Sequence, residues 1–171
     1  MMRSFGARSD TMCVDEPFYA AYLKSTGLQH PMSEDIFANQ SSDPGDVIRD
    51  LTGPIAPHAS IFYQKHMTHH MVADMPRDWM AACRNVFLIR HPARVLPSYA
   101  RKMETVSLEA IGFPQQLSLF EHAQALEGRS PLVLDSSDIL CAPEARLRAL
   151  CERLEIPWSA DMLAGEAGPN P

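Results

Sequence analysis

Short, continuous apolar runs alternate along this chain with polar stretches that contain proline or glycine. Thr11-Met12-Cys13-Val14, closed by Asp15-Glu16-Pro17, predicts a strand running into a loop. Ser60-Ile61-Phe62-Tyr63-Gln64, ending in Lys65-His66, predicts a second. Asn85-Val86-Phe87-Leu88-Ile89 is the plainest, with the unbroken apolar character of a strand covered on both faces. Leu132-Val133-Leu134 predicts a fourth.

Helical spacing fills the intervals. Residues 1–8 read as the remainder of a helix, and Pro17 opens another through Phe18, Tyr19, Tyr22 and Leu23 that stops near Gly27. Within the polar stretch 28–45 a short helix is expected around Glu34–Ala38, and Val47, Ile48 and Leu51 mark one ending at Gly53-Pro54. Helical segments are expected around His69–Ala73 and Asp78–Cys83. Another follows Arg90-His91-Pro92 to about Lys102, restricted by Pro97. Pro114–Glu127 carries a stripe of Leu117, Phe120, Ala123 and Gln124, read as core; Pro143–Leu154 carries Leu147, Leu150, Cys151 and Leu154. The tail from Gly165 has no periodicity. Strands alternating with helices predict a single α/β domain over residues 1–171. Its expected form is three layers around a mainly parallel sheet of about four or five strands.

Composition narrows the class. The 171 residues are 46% apolar and 21% charged, which excludes a disordered chain, and a net charge of −6 gives no case for general nucleic-acid binding. The four cysteines show no CxxC spacing; Cys13 and Cys83 read as buried small hydrophobes in a reduced, intracellular protein. No apolar run approaches the ~20 residues that span a bilayer, and the first residues lack a signal-peptide core, so a cytoplasmic protein is expected.

Three predicted strand ends are polar: Asp15-Glu16, Lys65-His66 and Arg90-His91. Parallel sheets bind ligands at the carboxyl ends of their strands, so this rim suits an anionic ligand and acid–base chemistry. In the run Phe87-Leu88-Ile89-Arg90-His91-Pro92-Ala93-Arg94-Val95-Leu96-Pro97-Ser98-Tyr99, an arginine closes a strand and a serine follows eight residues later. A guanidinium offers forked donors to a phosphate and a hydroxyl adds one more. This run resembles the 3′-phosphate-binding segment of sulfotransferases. Met1-Met2-Arg3-Ser4-Phe5, Asp15-Glu16-Pro17-Phe18-Tyr19, Phe62-Tyr63-Gln64-Lys65-His66-Met67 and Pro114-Gln115-Gln116 are similar to a bacterial branch of the same family.

The resemblance implies a P-loop NTPase-like fold and transfer of a sulfuryl group from PAPS (3′-phosphoadenosine 5′-phosphosulfate) to a small hydroxyl or amine acceptor. It implies that Arg90 and Ser98 hold the 3′-phosphate, that Lys65 stabilises charge on the transferring group, and that Glu16 or His66 is the base. The family's glycine- and serine-containing phosphate loop has no counterpart in the chain: no GxxxxGK[ST] or similar strand-to-helix turn occurs. The domain is therefore expected to be incomplete at its amino end, and after Gly165, and to turn over weakly or not at all as it stands. His91 departs from the aspartate of many relatives.

Other readings remain beside this one. They are a nucleotide-dependent, kinase-like transferase and a truncated, non-catalytic binding module. His66 and His70 at helical spacing could share a metal, but HxxHH lacks the glutamate of HExxH. Leu88-Ile89-Arg90-His91 resembles a histidine-phosphatase strand end, against which Pro92 stands where those enzymes need glycine. Phe18, Tyr19 and Tyr22 suit either an acceptor cleft or core packing.

Overall fold

Apolar runs become strands where the pattern places them, but the strands pair two by two. In the computed structural model, which describes residues 1–28, 31–94 and 111–164, β1 (Thr11–Asp15) lies parallel to β2 (Ile61–Lys65), Thr11 opposite Ile61 and Asp15 opposite Lys65. β3 (Val86–Ile89) lies parallel to β4 (Leu132–Asp135), Val86 opposite Leu132. Among the described residues these are separate two-stranded sheets. The expected continuous sheet is thus corrected to two parallel pairs, because a cavity lined by Ser60–His66 and by Asn85–Leu88 stands between β2 and β3.

The helices follow from local chemistry. α1 (Met2–Gly6) packs on β1 and β2; α2 (Tyr19–Thr26) ends at Gly27, whose φ of 69° is the left-handed conformation that glycine adopts without strain. α3 (Ser33–Asn39) precedes α4 (Pro44–Thr52). Asp43 caps α4 by accepting from the Gly45 and Asp46 amides at 2.7 and 3.2 Å, with Pro44 in the first turn. α5 (Phe113–Glu127), α6 (Ser136–Cys141) and α7 (Pro143–Leu154) follow in the second half of the chain. The segments expected as helical near His69 and Asp78 are short 3-10 turns, Thr68–His70 and Asp78–Ala82. Beyond Arg94, the helix expected to run to Lys102 lies outside the described residues. No described helix is long and apolar enough to cross a membrane.

Strand alternation divides the core in two. Val14, Phe62 and Phe87 join Phe18, Leu51, Met71, Met80 and Leu119 in one cluster. Cys13, Tyr63 and Val86 join Phe5, Leu147, Leu150, Cys151 and Met162 in the other. Of the expected core stripe of α5, Ala123 is buried and Phe120 packs against the core, whereas Leu117 is 60% exposed, Gln124 is exposed and Leu119 is buried instead. Of the cysteines, Cys151 is the buried one, whereas Cys13 and Cys83 are half-buried. β3 is covered less fully than its unbroken apolar run predicts, since Leu88 and Ile89 are 41% and 40% exposed and Leu88 opens to the cavity.

Candidate active site

The carboxyl ends of β1 and β2 hold a compact charge cluster. Register sets Asp15 beside Lys65, and the ladder continues one step as the Glu16 amide donates to the Lys65 carbonyl oxygen at 2.9 Å. Glu16 then turns the chain with a φ of 49°, a left-handed conformation that for a non-glycine residue marks a locally held, strained position. Its carbonyl accepts from the Tyr19 amide at 3.0 Å, starting α2. Lys65 Nζ lies 2.8 Å from Asp15 Oδ1 and 2.7 Å from Glu16 Oε1. Burial works to lower the Lys65 pKa, but the hydrogen bonds and charges of both carboxylates outweigh it and hold the pKa above its ordinary value. The ammonium is therefore a fixed charge at neutral pH.

His66 follows on a floor of rings. Its imidazole lies 5.8 Å from Phe18 and 5.0 Å from Trp79, centroid to centroid. Burial pushes its pKa down to about 4, so the ring is neutral at pH 7. Gln64, two residues back and on the same side of the strand, donates through Nε2 to the Leu51 carbonyl at 2.8 Å. That leaves Gln64 Oε1 as the acceptor for His66 Nε2 at 3.3 Å, so the proton sits on Nε2 and the lone pair on Nδ1.

Behind this cluster, His70 is buried and stacks on Tyr19 at 4.7 Å and 13°, with Tyr22 at 4.9 Å and His69 at 4.4 Å. Burial, reinforced by His69, Lys65 and His66, drives its pKa to about 3. His69 and His70 occupy a 3-10 turn rather than the α-helix that the shared-metal reading of His66 and His70 requires. Phe18, 1% exposed, is core, while Tyr19 and Tyr22 pack against the histidine turn.

At the end of β3, Arg90 is exposed and makes no ion pair among the described residues, yet it lines the same cavity as Lys65 and His66. His91 Nδ1 accepts from the Ala93 amide at 3.2 Å, which caps the helical turn beginning at Pro92 as a carboxylate at this position also could. Asp135, ending β4, accepts from the Ser137 amide at 2.7 Å and caps α6. The structure thus brings Glu16, Lys65 and His66 together and aims Arg90 at their cavity; Ser98 lies outside the described residues. Sequence reasoning missed the Gln64 anchor of His66 and the Tyr19–His70 stack. The i,i+2 spacing of Gln64 and His66 was the available signal for the first; the second joins segments some 50 residues apart and left none.

The chain is 34% identical over 172 residues to branched-chain-amino-acid aminotransferase-like protein 2 of Arabidopsis thaliana, and 33% identical over 171 residues to the corresponding protein 1. Both matches cover all of this chain and 30% of the relative, so it spans about a third of their length. No solved structure matches. The family model for a sulfotransferase domain matches residues 1–170, and the chain belongs to that family.

Proposed function

We propose that this domain transfers a sulfuryl group from PAPS to a small hydroxyl or amine acceptor. The observation that carries the reading is that a held ammonium, a neutral imidazole and an open guanidinium line one cavity, in a chain matched over residues 1–170 by the sulfotransferase domain. The parallel strand pairs with helices packed around them are consistent with half-sheets of a three-layer, P-loop NTPase-like fold.

Arg90, joined by Ser98, binds the donor's 3′-phosphate through forked, charge-assisted hydrogen bonds. Lys65 stabilises negative charge that builds on the sulfonate and bridging oxygen as the bond from sulfur to the 5′-phosphate breaks. The acceptor oxygen or nitrogen forms the new bond to sulfur, and its proton passes to a base while adenosine 3′,5′-diphosphate leaves. Of the two base candidates, His66 is favoured, because it lines the cavity with an unprotonated Nδ1, whereas Glu16 is outside the lining and anchors Lys65. A low intrinsic basicity is partly offset when the anionic donor arrives, since nearby negative charge raises an imidazole pKa.

Calorimetric titration with adenosine 3′,5′-diphosphate tests the assignment. Binding that weakens about 10- to 100-fold in Arg90→Ala is expected for a lost charged hydrogen bond. An Arg90→Ala variant that binds equally well, or a folded protein that does not bind at all, sinks it. His66→Gln and Glu16→Gln separate the bases: only the first should remove the acid limb of the pH–rate profile.

A further inference from the structure

Gln64 is joined to two partners that need opposite things from it. The Leu51 carbonyl is among the last of α4, which a helix leaves without a backbone donor, and it carries part of the helix's negative end. A carbonyl can only accept, so the Gln64 amide turns its NH2 towards it, and Nε2 donates at 2.8 Å. The other half of the same amide is thereby aimed at His66, with Oε1 3.3 Å from the ring Nε2. Serving both partners takes an amide: a leucine offers neither function, an ionised glutamate no donor and a lysine no acceptor.

The ring held in this way differs from the buried histidine behind it. His70 Nδ1 is sealed off without a hydrogen-bond partner. His66 Nδ1 is also without a partner among the described residues, but it stays accessible, in a residue that lines the cavity. A hydrogen bond at the far nitrogen sets the tautomer of a histidine and raises the basicity of the near one. At 3.3 Å the bond to Gln64 is long, and a proton arriving on Nδ1 makes it charge-assisted, hence shorter and stronger.

We propose that the Leu51 carbonyl, Gln64 and His66 form a relay in which Gln64 is a positioning residue. It fixes the ring's proton on Nε2, leaves Nδ1 as the basic atom, and supports the positive charge that appears when Nδ1 takes a proton. The use of that atom rests on the proposed sulfuryl transfer. As the acceptor's O–H or N–H bond breaks, its electron pair forms the bond to sulfur and its proton goes to Nδ1. The relay itself rests on the two hydrogen bonds alone. Among the charged and titratable groups around the ring, Lys65 and Glu16 stand at the strand end, His69 and His70 follow on the next turn, and Arg3 and Arg90 line the same cavity. All are unchanged in the variants below, so a difference between those variants reads position 64.

The test is nuclear magnetic resonance of the protein carrying heavy-nitrogen-labelled histidine, with the His66 signals assigned by their loss in His66→Gln. At neutral pH the unsubstituted protein is expected to show a protonated Nε2 and a bare Nδ1. A proton on Nδ1 instead would mean that the Gln64 amide is turned the other way, and it overturns the relay. Gln64→Leu and Gln64→Glu both lose the bond to Leu51, so comparing them isolates the acceptor facing the ring. Gln64→Leu is expected to bring up the Nδ1–H form beside the first. Gln64→Glu should keep Nε2–H alone, and its His66 should titrate at least about one pH unit higher than in Gln64→Leu, because a carboxylate beside the ring favours the imidazolium. A Gln64→Leu ring that keeps Nε2–H alone, or equal midpoints in the two variants, overturns Gln64 as the positioning residue. These readings need no turnover, whereas the acid limb of the pH–rate profile in His66→Gln tests the base assignment, so either idea can fail alone.

Discussion

At the carboxyl end of the β1–β2 pair, Lys65 stands 2.8 Å from Asp15 and 2.7 Å from Glu16, with Phe18, Trp79 and the histidine turn packed nearby. At the end of the β3–β4 pair, Arg90 is exposed without an ion pair among the described residues, and Asp135 is engaged in capping α6. Both ends carry a cation and a carboxylate. Only the first has used its cation within the fold. The contrast separates two roles for charge: a cation already neutralised is positioned in advance and supports stability, whereas an unneutralised one keeps its donors for an external anion. Substitutions in the first pair should therefore register in stability, and substitutions in the second in ligand affinity.

The largest effect tests the floor of the first pair. Phe18 is 1% exposed and packs 5.6 Å from Trp79 and 5.8 Å from His66. Phe18→Ala should cost about 3–5 kcal/mol in urea denaturation, the transfer and cavity terms together. A loss under about 1 kcal/mol would mean that this floor is not packed as described.

Acidification tests the same region without mutation. His66 and His70 titrate at about 4 and 3 when folded, against an ordinary value near 6.5. Between those limits the unfolded chain binds protons that the folded one refuses, so stability falls as pH drops from about 6.5 towards 4. The loss should be on the order of 3 kcal/mol, allowing for the water that half-buried His66 still sees. Asp10, whose pKa is lowered by its hydrogen bond from Arg8, adds a loss of the same sign at lower pH. Urea midpoints at pH 7 and pH 4.5 measure it. An unchanged or higher midpoint at pH 4.5 would contradict the depressed histidines.

How much of this was legible beforehand differs between local and distant interactions. The strands, and helices such as Pro143–Leu154, were readable because continuous apolar runs and 3.6-residue spacing are local signals. α6 escaped notice because its six residues carry no apolar stripe; its signal is Asp135 before Ser136-Ser137, an N-cap pattern. The stripe on α5 is legible at its centre, Phe120 and Ala123, and not at its edges, where Leu119 is buried and Leu117 and Gln124 are exposed. Strand pairing could not be read at all, since Asp15–Lys65 proximity depends on register across some 50 residues. Arg8 is another case. It is 4% exposed, donates to both Asp10 oxygens and reaches the Pro157 carbonyl at 2.7 Å, yet only the i,i+2 Arg–Asp spacing hinted at it.

Lys65→Met sharpens the comparison from the side of the held cation. Its side chain is 35% exposed, between carboxylates at 49% and 29%. Removing it leaves Asp15 and Glu16 repelling one another, but water screens part of that cost, so about 1–2 kcal/mol is expected in denaturation. Lys65→Arg should restore most of the stability. If turnover needs the compact ammonium beside the sulfonate, the arginine variant recovers the fold and not the rate. Recovery of both would make Lys65 a structural counter-ion alone.

Arg90→Ala has the smallest expected effect on stability and is the decisive one for the contrast. An exposed side chain with no ion pair among the described residues should change the unfolding free energy by less than about 0.5 kcal/mol. The same substitution should weaken adenosine 3′,5′-diphosphate binding about 10- to 100-fold, through lost charged hydrogen bonds. Thermal unfolding and calorimetry on one preparation measure both. If stability falls by more than 1–2 kcal/mol while affinity holds, the division of labour between the two strand pairs is wrong. Arg90 would then be serving the fold, as Lys65 does, and the anion site would have to be sought elsewhere along the cavity.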